Sequence, residues 1–148
     1  MSLQLIIKHY TELTADELHD ILQIRAAVFV VEQNCAYQDI DGNDKVSYHL
    51  WLRDAEGIKA YLRVLPQHAT FDDASVGRVV CIQRRQGLAT RLINEGIRVA
   101  KERFDADKIT IAAQLYARSL YEKIGFAQTS DIFMEDGIEH IKMTLEVK

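Results

Sequence analysis

Apolar residues alternate with polar ones, or run almost without interruption, over four short stretches in the first part of the chain. These stretches are Gln4–His9, Ser47–Arg53, Ile58–Pro66 and Val76–Ile82. Because successive side chains of a strand point to opposite faces, the pattern predicts four β-strands. The residues Ala55-Glu56-Gly57 predict a turn between the second and third strands, which are therefore expected to form a hairpin.

Apolar residues recur every three or four positions in two other stretches, and this period predicts amphipathic helices. The first helix begins after Thr14, where Glu17 three residues later completes a capping box. Its apolar positions continue as far as Val28. The second helix is predicted from Gly87 to Phe104.

The last third of the chain returns to short elements. A helix is predicted from Ala117 to Ile124, and Gly125 is the residue type that commonly ends a helix. The remaining predicted strands are Lys108–Ala113, Phe126–Glu135 and His140–Val147, the last two flanking a turn at Asp136-Gly137. Strands followed by alternating strands and helices indicate a mixed α/β fold, which we expect to form one domain over residues 1–148.

Composition and charge narrow the functional classes. Of 148 residues, 48% are apolar and 27% charged, which indicates a folded globular chain, and the net charge of −4 argues against nucleic-acid binding. The first residues lack a basic leader, and no apolar run reaches the ~18 residues that a membrane span needs. We therefore expect a cytoplasmic protein without membrane contact. Its cysteines, Cys35 and Cys81, are expected to be thiols, and no ligand spacing indicates a metal.

The junction between the fourth strand and the second helix carries the most specific chemistry. It contains the spacing Arg84-x-x-Gly87-x-Ala89. The first amides of a helix have no partner within the helix, and the helix dipole contributes about 0.3–1 kcal/mol to anion binding there. This junction therefore predicts a pyrophosphate site, although the spacing alone fits ordinary helix capping equally well. It matches neither a Walker loop nor a dinucleotide fingerprint.

A second motif makes the junction more specific. The segment Ala117-Arg118-Ser119-Leu120-Tyr121-Glu122-Lys123-Ile124-Gly125-Phe126 follows a predicted strand. Together the two motifs resemble the GCN5-related N-acetyltransferase (GNAT) family, which binds acetyl-CoA through a Q/R-x-x-G-x-G/A loop and has a later A-x-x-F/L-Y-x-x-x-G-F helix. Residues 25–42 and 135–140 are similar to the ElaA-like branch. Glu139 departs from that branch, which usually has proline, and Ala89 stands where many relatives have glycine.

The resemblance implies a fold, a cosubstrate and a set of roles. The fold would be a central, mixed but mostly antiparallel sheet flanked by helices. Acetyl-CoA would pair its pantetheine arm with the backbone of Val79, Val80 and Cys81, as an added strand. Tyr121 would act as the general acid in direct transfer within a ternary complex. The pyrophosphate would be held by Arg84, Arg85, Gln86, Gly87, Leu88, Ala89 and Thr90.

The base that activates the acceptor is left open by the sequence. An amine with a pKa of ~10.4 is neutral in about one molecule in 10³ at pH 7, so a carboxylate or histidine should remove its proton. Glu32 and His140 are the first candidates. The alternatives are that Glu32 is a solvated carboxylate in a loop and that His140 is a histidine on an edge strand. Arg25 is expected to form a salt bridge rather than bind an acidic substrate. Further base candidates are Asp39, Asp41, His49 and Glu135, of which the first two are expected to cap turns.

Two functions fit these expectations. The first is transfer of an acetyl group from acetyl-CoA to a primary amine on a small molecule or peptide. The alternative is a module that binds acyl-CoA without turnover, since the sequence fixes no base. Because dimers are common in this fold, a homodimer is a further expectation by analogy.

Overall fold

The computed structural model describes residues 2–82 and 87–148 of the chain, so the predicted loop residues Arg84, Arg85 and Gln86 lie outside the described residues. The helices are α1 (Ala15–Arg25), α2 (Leu88–Phe104) and α3 (Arg118–Ile124). The strands are β1 (Gln4–His9), β2 (Tyr48–Asp54), β3 (Gly57–Leu65), β4 (Ser75–Cys81), β5 (Lys108–Gln114), β6 (Ala127–Gln128), β7 (Phe133–Glu135) and β8 (Ile138–Glu146).

The strands form two antiparallel sheets that meet at one end. β1, β2, β3 and β4 pair in chain order, whereas β8 lies between β5 on one side and β6 and β7 on the other. Within residues 2–82 and 87–148, the sheets are joined by a single parallel bridge between Ala74 and Ile109, where the Thr110 amide donates to the Ala74 carbonyl at 3.0 Å. Beyond that bridge, in the same described part, no strand pairs with the outer edge of β4.

The larger apolar core lies between both sheets and the helices α2 and α3. Alternate residues of β2 and β3, including Leu50 and Leu62, pack there with Leu92 of α2 and are fully buried. Gly96 allows the close approach of α2, because a Cβ at that position would lie 3.2 Å from Leu62 Cδ1. In β2, the alternation of apolar residues thus correctly predicts that Leu50 and Leu52 face this core.

The opposite face of the first sheet packs against α1. Here Ile21 of α1 contacts a smaller cluster that includes Trp51, Tyr61 and Val80. A β-bulge in β4, between the pairs Tyr61–Val80 and Arg63–Gly77, places one extra residue on β4. Val76 and Val80 are four positions apart and would point to the same face of a regular strand. Because of the bulge, Val76 belongs to the larger core whereas Val80 lies on the α1 side.

The start of α1 follows the sequence expectation, but its end does not. The Glu17 amide donates to Thr14 Oγ1 at 3.1 Å and the Thr14 amide to Glu17 Oε1 at 2.9 Å, which confirms the capping box. The α-helix ends at Arg25, and Ala26–Glu32 continues as a π-helix instead of an α-helical turn to Val28. Val28 packs against the smaller cluster in this wider helix, so tertiary packing overrides the local period.

The predicted strand Phe126–Glu135 is wrong as a single element. It is divided into β6 and β7, because Ser130 Oγ accepts a hydrogen bond from the Lys142 amide at 2.8 Å in place of a strand carbonyl. Gly125 ends α3 with φ +127°, as expected. None of the helices in the described part of the chain is long and apolar enough to cross a membrane.

Candidate active site

The start of α2 has backbone amides without a partner inside the helix. Gly87 is the N-cap, has φ +67° and provides no side-chain cap. The Arg91 amide donates to the Gly87 carbonyl at 3.0 Å, so the amides of Leu88, Ala89 and Thr90 precede the first helical bond. A Cβ at Gly87 would meet no atom within 4 Å among the residues described. This end of α2 is therefore a candidate anion site.

The edge of β4 offers a second element of a cofactor site. Its inner edge pairs with β3, where Val80 opposes Tyr61 and Cys81 opposes Ala60. The outer edge is the one that no described strand covers beyond Ala74. A strand edge that no other strand covers can bind an extended, amide-containing chain by β-augmentation. The outer edge of β4 is therefore a candidate place for such a chain.

Tyr121 lies in α3 with its side chain in the larger core. Only 8% of the residue is exposed, and its ring packs edge-on against Phe126 at 5.6 Å. Burial, with a smaller contribution from Tyr116, raises the pKa of Tyr121 above its ordinary value, so the phenol is protonated at neutral pH. Among the described residues, its hydroxyl has no hydrogen-bond partner. It can therefore donate a proton to a bound molecule.

His140 occupies a polar position of β8. Its Nδ1 lies 2.8 Å from the Ile138 carbonyl, which can only accept, so the proton of the neutral ring resides on Nδ1. Nε2 is then the basic nitrogen, and it lies 3.6 Å from Glu135 Oε2. The ring stacks on Phe133 with centroids 6.0 Å apart. β8 is an interior strand, so the alternative reading of an edge-strand histidine is wrong.

Glu32 ends the π-helix and is exposed. The next residue, Gln33, accepts a hydrogen bond from Gln114 Nε2 at 3.3 Å, and Gln114 is the register partner of His140. Cys35 Sγ also donates to the Asp136 carbonyl at 3.3 Å. The structure thus brings the segment that carries Glu32 to the end of β5, beside His140.

Arg25 lies at the end of α1 and is fully buried among carboxylates. Its Nε donates to Asp39 Oδ2 at 3.0 Å, its Nη1 to Asp44 Oδ1 at 2.7 Å, and its Nη2 to the Asp39 carbonyl at 2.9 Å. The sequence expectation of a salt bridge at Arg25 is therefore confirmed. Its partners are 14 and 19 residues away, which is why spacing could not name them.

Two further arginines, both on strands, bind the same acidic segment. Arg63 Nη1 donates to Asp41 Oδ1 at 2.7 Å and to Asp44 Oδ1 at 2.9 Å. Arg78 Nε forms an ion pair with Asp39 Oδ1 at 2.9 Å. We call these groups the arginine–aspartate network, which comprises Arg25, Arg63, Arg78, Asp39, Asp41 and Asp44.

The network removes two of the base candidates. Asp39 is not a turn cap as expected, because its carboxylate is bound by two guanidinium groups and by the Tyr37 hydroxyl at 2.7 Å. Asp41 does cap the following turn, accepting from the Asn43 amide at 3.1 Å. Although burial opposes it, the hydrogen bond and charge of Arg63 hold the pKa of Asp41 below its ordinary value. Both carboxylates are thus already engaged by guanidinium groups.

His49 is also unsuited to act as the base. It is fully buried, and its Nε2 lies 3.0 Å from the Asp44 carbonyl and must be the donor. Nδ1 therefore accepts from the Tyr61 hydroxyl at 2.7 Å. Burial lowers the pKa of His49, so the ring is neutral with both nitrogens engaged.

A family model described as an acetyltransferase (GNAT) domain matches residues 10–147. The chain belongs to the GNAT acetyltransferase family. A UPF0039 protein of Schizosaccharomyces pombe is 37% identical, with 99% of both chains covered. The ElaA protein of Escherichia coli is 34% identical, with 94% of each chain covered, which supports membership of the ElaA-like branch.

Solved structures agree with this assignment. The crystal structure of Escherichia coli ElaA matches with a TM-score of 0.91 and 30% identity, covering 98% of this chain and 100% of that one. An acyl-CoA N-acyltransferase from Pseudomonas aeruginosa matches with a TM-score of 0.89 and 36% identity, covering 97% and 99%. These similarities confirm the expected GNAT fold and support acyl transfer as the general activity.

Proposed function

We propose that this protein transfers an acetyl group from acetyl-CoA to a primary amine, within one domain that spans residues 1–148. The observation that carries the proposal is the edge of β4 that no described strand covers, followed in the chain by the glycine-capped start of α2, in a member of the GNAT family. The acceptor would be a small molecule or peptide that carries the amine.

The cosubstrate would be held by backbone groups more than by side chains. Val79, Val80 and Cys81 would pair with the pantetheine arm along the outer edge of β4. The amides of Leu88, Ala89 and Thr90, at the turn made by Gly87, would bind the pyrophosphate, where the helix dipole adds to the attraction. The loop residues Arg84, Arg85 and Gln86 would complete this site.

His140 would remove the proton of the attacking amine. Keeping an amine of pKa ~10.4 neutral at pH 7 costs about 4–5 kcal/mol, so a nearby base has a substantial role. The hydrogen bond from Nδ1 to Ile138 orients the ring and directs the basic Nε2 towards Glu135, whose carboxylate would stabilise the imidazolium. Glu32 remains the other candidate.

Tyr121 would donate its proton to the sulfur. The amine nitrogen bonds to the acetyl carbon, the carbon–sulfur bond breaks, and the departing thiolate receives the phenolic proton. A thiol pKa of about 8.5 lies below that of a phenol, so this transfer accompanies bond breaking rather than preceding it. Because burial raises the pKa of Tyr121, the phenol keeps its proton at neutral pH and would release it only as negative charge develops on the sulfur.

The proposal is tested by calorimetric titration with acetyl-CoA, followed by detection of released coenzyme A with a panel of amines. We expect binding in the micromolar range and release that depends on the amine. No binding, or binding without release for any amine, would contradict the proposal.

Tyr121→Phe tests the proton donor. We expect turnover to fall roughly tenfold or more, because the donor is lost, while acetyl-CoA affinity measured by calorimetry stays near that of the wild type. Tyr10→Phe removes a hydroxyl remote from α3 and serves as the matched control. Full activity of Tyr121→Phe would remove this residue from the mechanism.

A further inference from the structure

Arg78 holds an unfavourable backbone conformation at the bulge of β4. Its φ is +52°, in the left-handed region that residues other than glycine, asparagine and aspartate seldom adopt. Such strain persists only where surrounding contacts stabilise it. The bulge consists of Arg78 and Val79, so this conformation sets the direction in which β4 continues to Val80 and Cys81.

The side chain of Arg78 provides those contacts. Nε lies 2.9 Å from Asp39 Oδ1, and Nη2 lies 3.0 Å from the Asp39 carbonyl and 3.4 Å from Asp41 Oδ2. The guanidinium also lies over the ring of Tyr37, 5.4 Å from its centroid. One arginine thus joins the bulge to a segment that lies almost forty residues earlier in the chain.

That segment continues directly from the border of the candidate active site. Gln33 and Cys35 contact Gln114 and the turn at Asp136, and the chain then enters residues 37–46. Arg25 fixes the segment to α1, and Arg63 fixes it to β3. Arg78 is the contact of the network that reaches the strand on which acetyl-CoA is proposed to pair.

We propose that Arg78 is a positioning residue. It holds residues 37–46, and the preceding residues 32–36 at the border of the candidate active site, at a fixed place relative to the outer edge of β4. The inference rests on the proposed acetyl transfer. Arg78 touches neither reacting group in this account; it acts through Asp39. Its loss should therefore impair the alignment of acceptor and thioester more than the binding of either.

Arg78→Gly removes the side chain but keeps the backbone conformation, because glycine adopts φ +52° without strain. We expect hydrogen–deuterium exchange to rise across residues 37–46 while exchange in α2 and β8 stays unchanged. We expect kcat to fall about tenfold or more, since small misplacements strongly slow reactions, with KM for acetyl-CoA nearly unchanged. Arg78→Lys keeps the charge opposite Asp39 and should restore part of kcat.

Arg98→Ala is the control, because it removes ion pairs on the exposed side of α2, with Glu95 and Glu102. All variants are compared at a temperature at which circular dichroism shows them to be folded. Exchange across residues 37–46 equal to the wild type, a wild-type kcat for Arg78→Gly, or a loss confined to acetyl-CoA affinity would each overturn the positioning role. A wild type that binds no acetyl-CoA would instead overturn the proposed function itself, and the positioning role with it.

Discussion

The two faces of the first sheet are both buried but differ in chemistry, because the α1 side carries the arginine–aspartate network beside its apolar cluster. On the α2 side, Leu62 packs among apolar residues, whereas on the α1 side the neighbouring Arg63 lies among aspartates. Each apolar group buried on the α2 side stabilises the folded state, whereas a buried ion pair stabilises it little more than an apolar pair of the same shape would. The comparison indicates that the apolar side supplies most of the stability and the charged side fixes the position of one segment.

Arg25→Ala should be the most damaging change on the charged face. It leaves Asp39 and Asp44 buried with part of their compensating charge removed, and breaking a buried pair in this way costs about 3–5 kcal/mol. Urea unfolding monitored by circular dichroism measures the loss. Arg98→Ala, which breaks exposed pairs, should cost less than about 1 kcal/mol. Equal losses for the two variants would mean that burial does not distinguish the network.

Leu62→Ala is the corresponding change on the apolar face. Leu62 is fully buried and contacts α2 near Gly96, so its truncation leaves a cavity and should cost about 2–5 kcal/mol in the free energy of unfolding. The same urea experiment applies. Unlike Arg78→Gly, this variant should leave kcat of the folded protein close to that of the wild type. A loss of kcat as large as that of Arg78→Gly would contradict the assignment of stability to one face and positioning to the other.

His49 predicts a smaller, pH-dependent effect on the charged face. Burial holds its pKa below the ordinary value of 6.5, so the unfolded chain binds a proton at this site before the folded one does. The stabilisation is therefore complete above pH 6.5 and is lost as the pH falls below it, by at most about 1.4 kcal/mol per pH unit for one proton.

His49→Gln should flatten this dependence, whereas His19→Gln, at an exposed position of α1, should not. Urea unfolding at pH 7, 6 and 5 compares the three proteins. The same slope in His49→Gln as in the wild type would assign the acid sensitivity to other groups.

The candidate site could be predicted in part. The glycine before α2 and the tyrosine of α3 belong to local motifs, so the sequence names Gly87 and Tyr121 directly. The proton on Nδ1 of His140 and its neighbour Glu135 depend on a hairpin whose strand boundaries were predicted incorrectly. The role of Asp39 was also missed, although the charged residues Arg63 and Arg78 within apolar strands could have indicated buried ion pairs.

The sequence by itself determined most of the helices and strands of this protein and the motifs at their ends. Alternation, helical period and caps act between residues a few positions apart, so Thr14 with Glu17 can be read without a fold. Only the tertiary structure decided the π-helix, the bulge at Arg78 and the arginine–aspartate network. Arg78 reaches Asp39 across 39 residues of chain, and a contact over that distance depends on how the sheet brings its strands together.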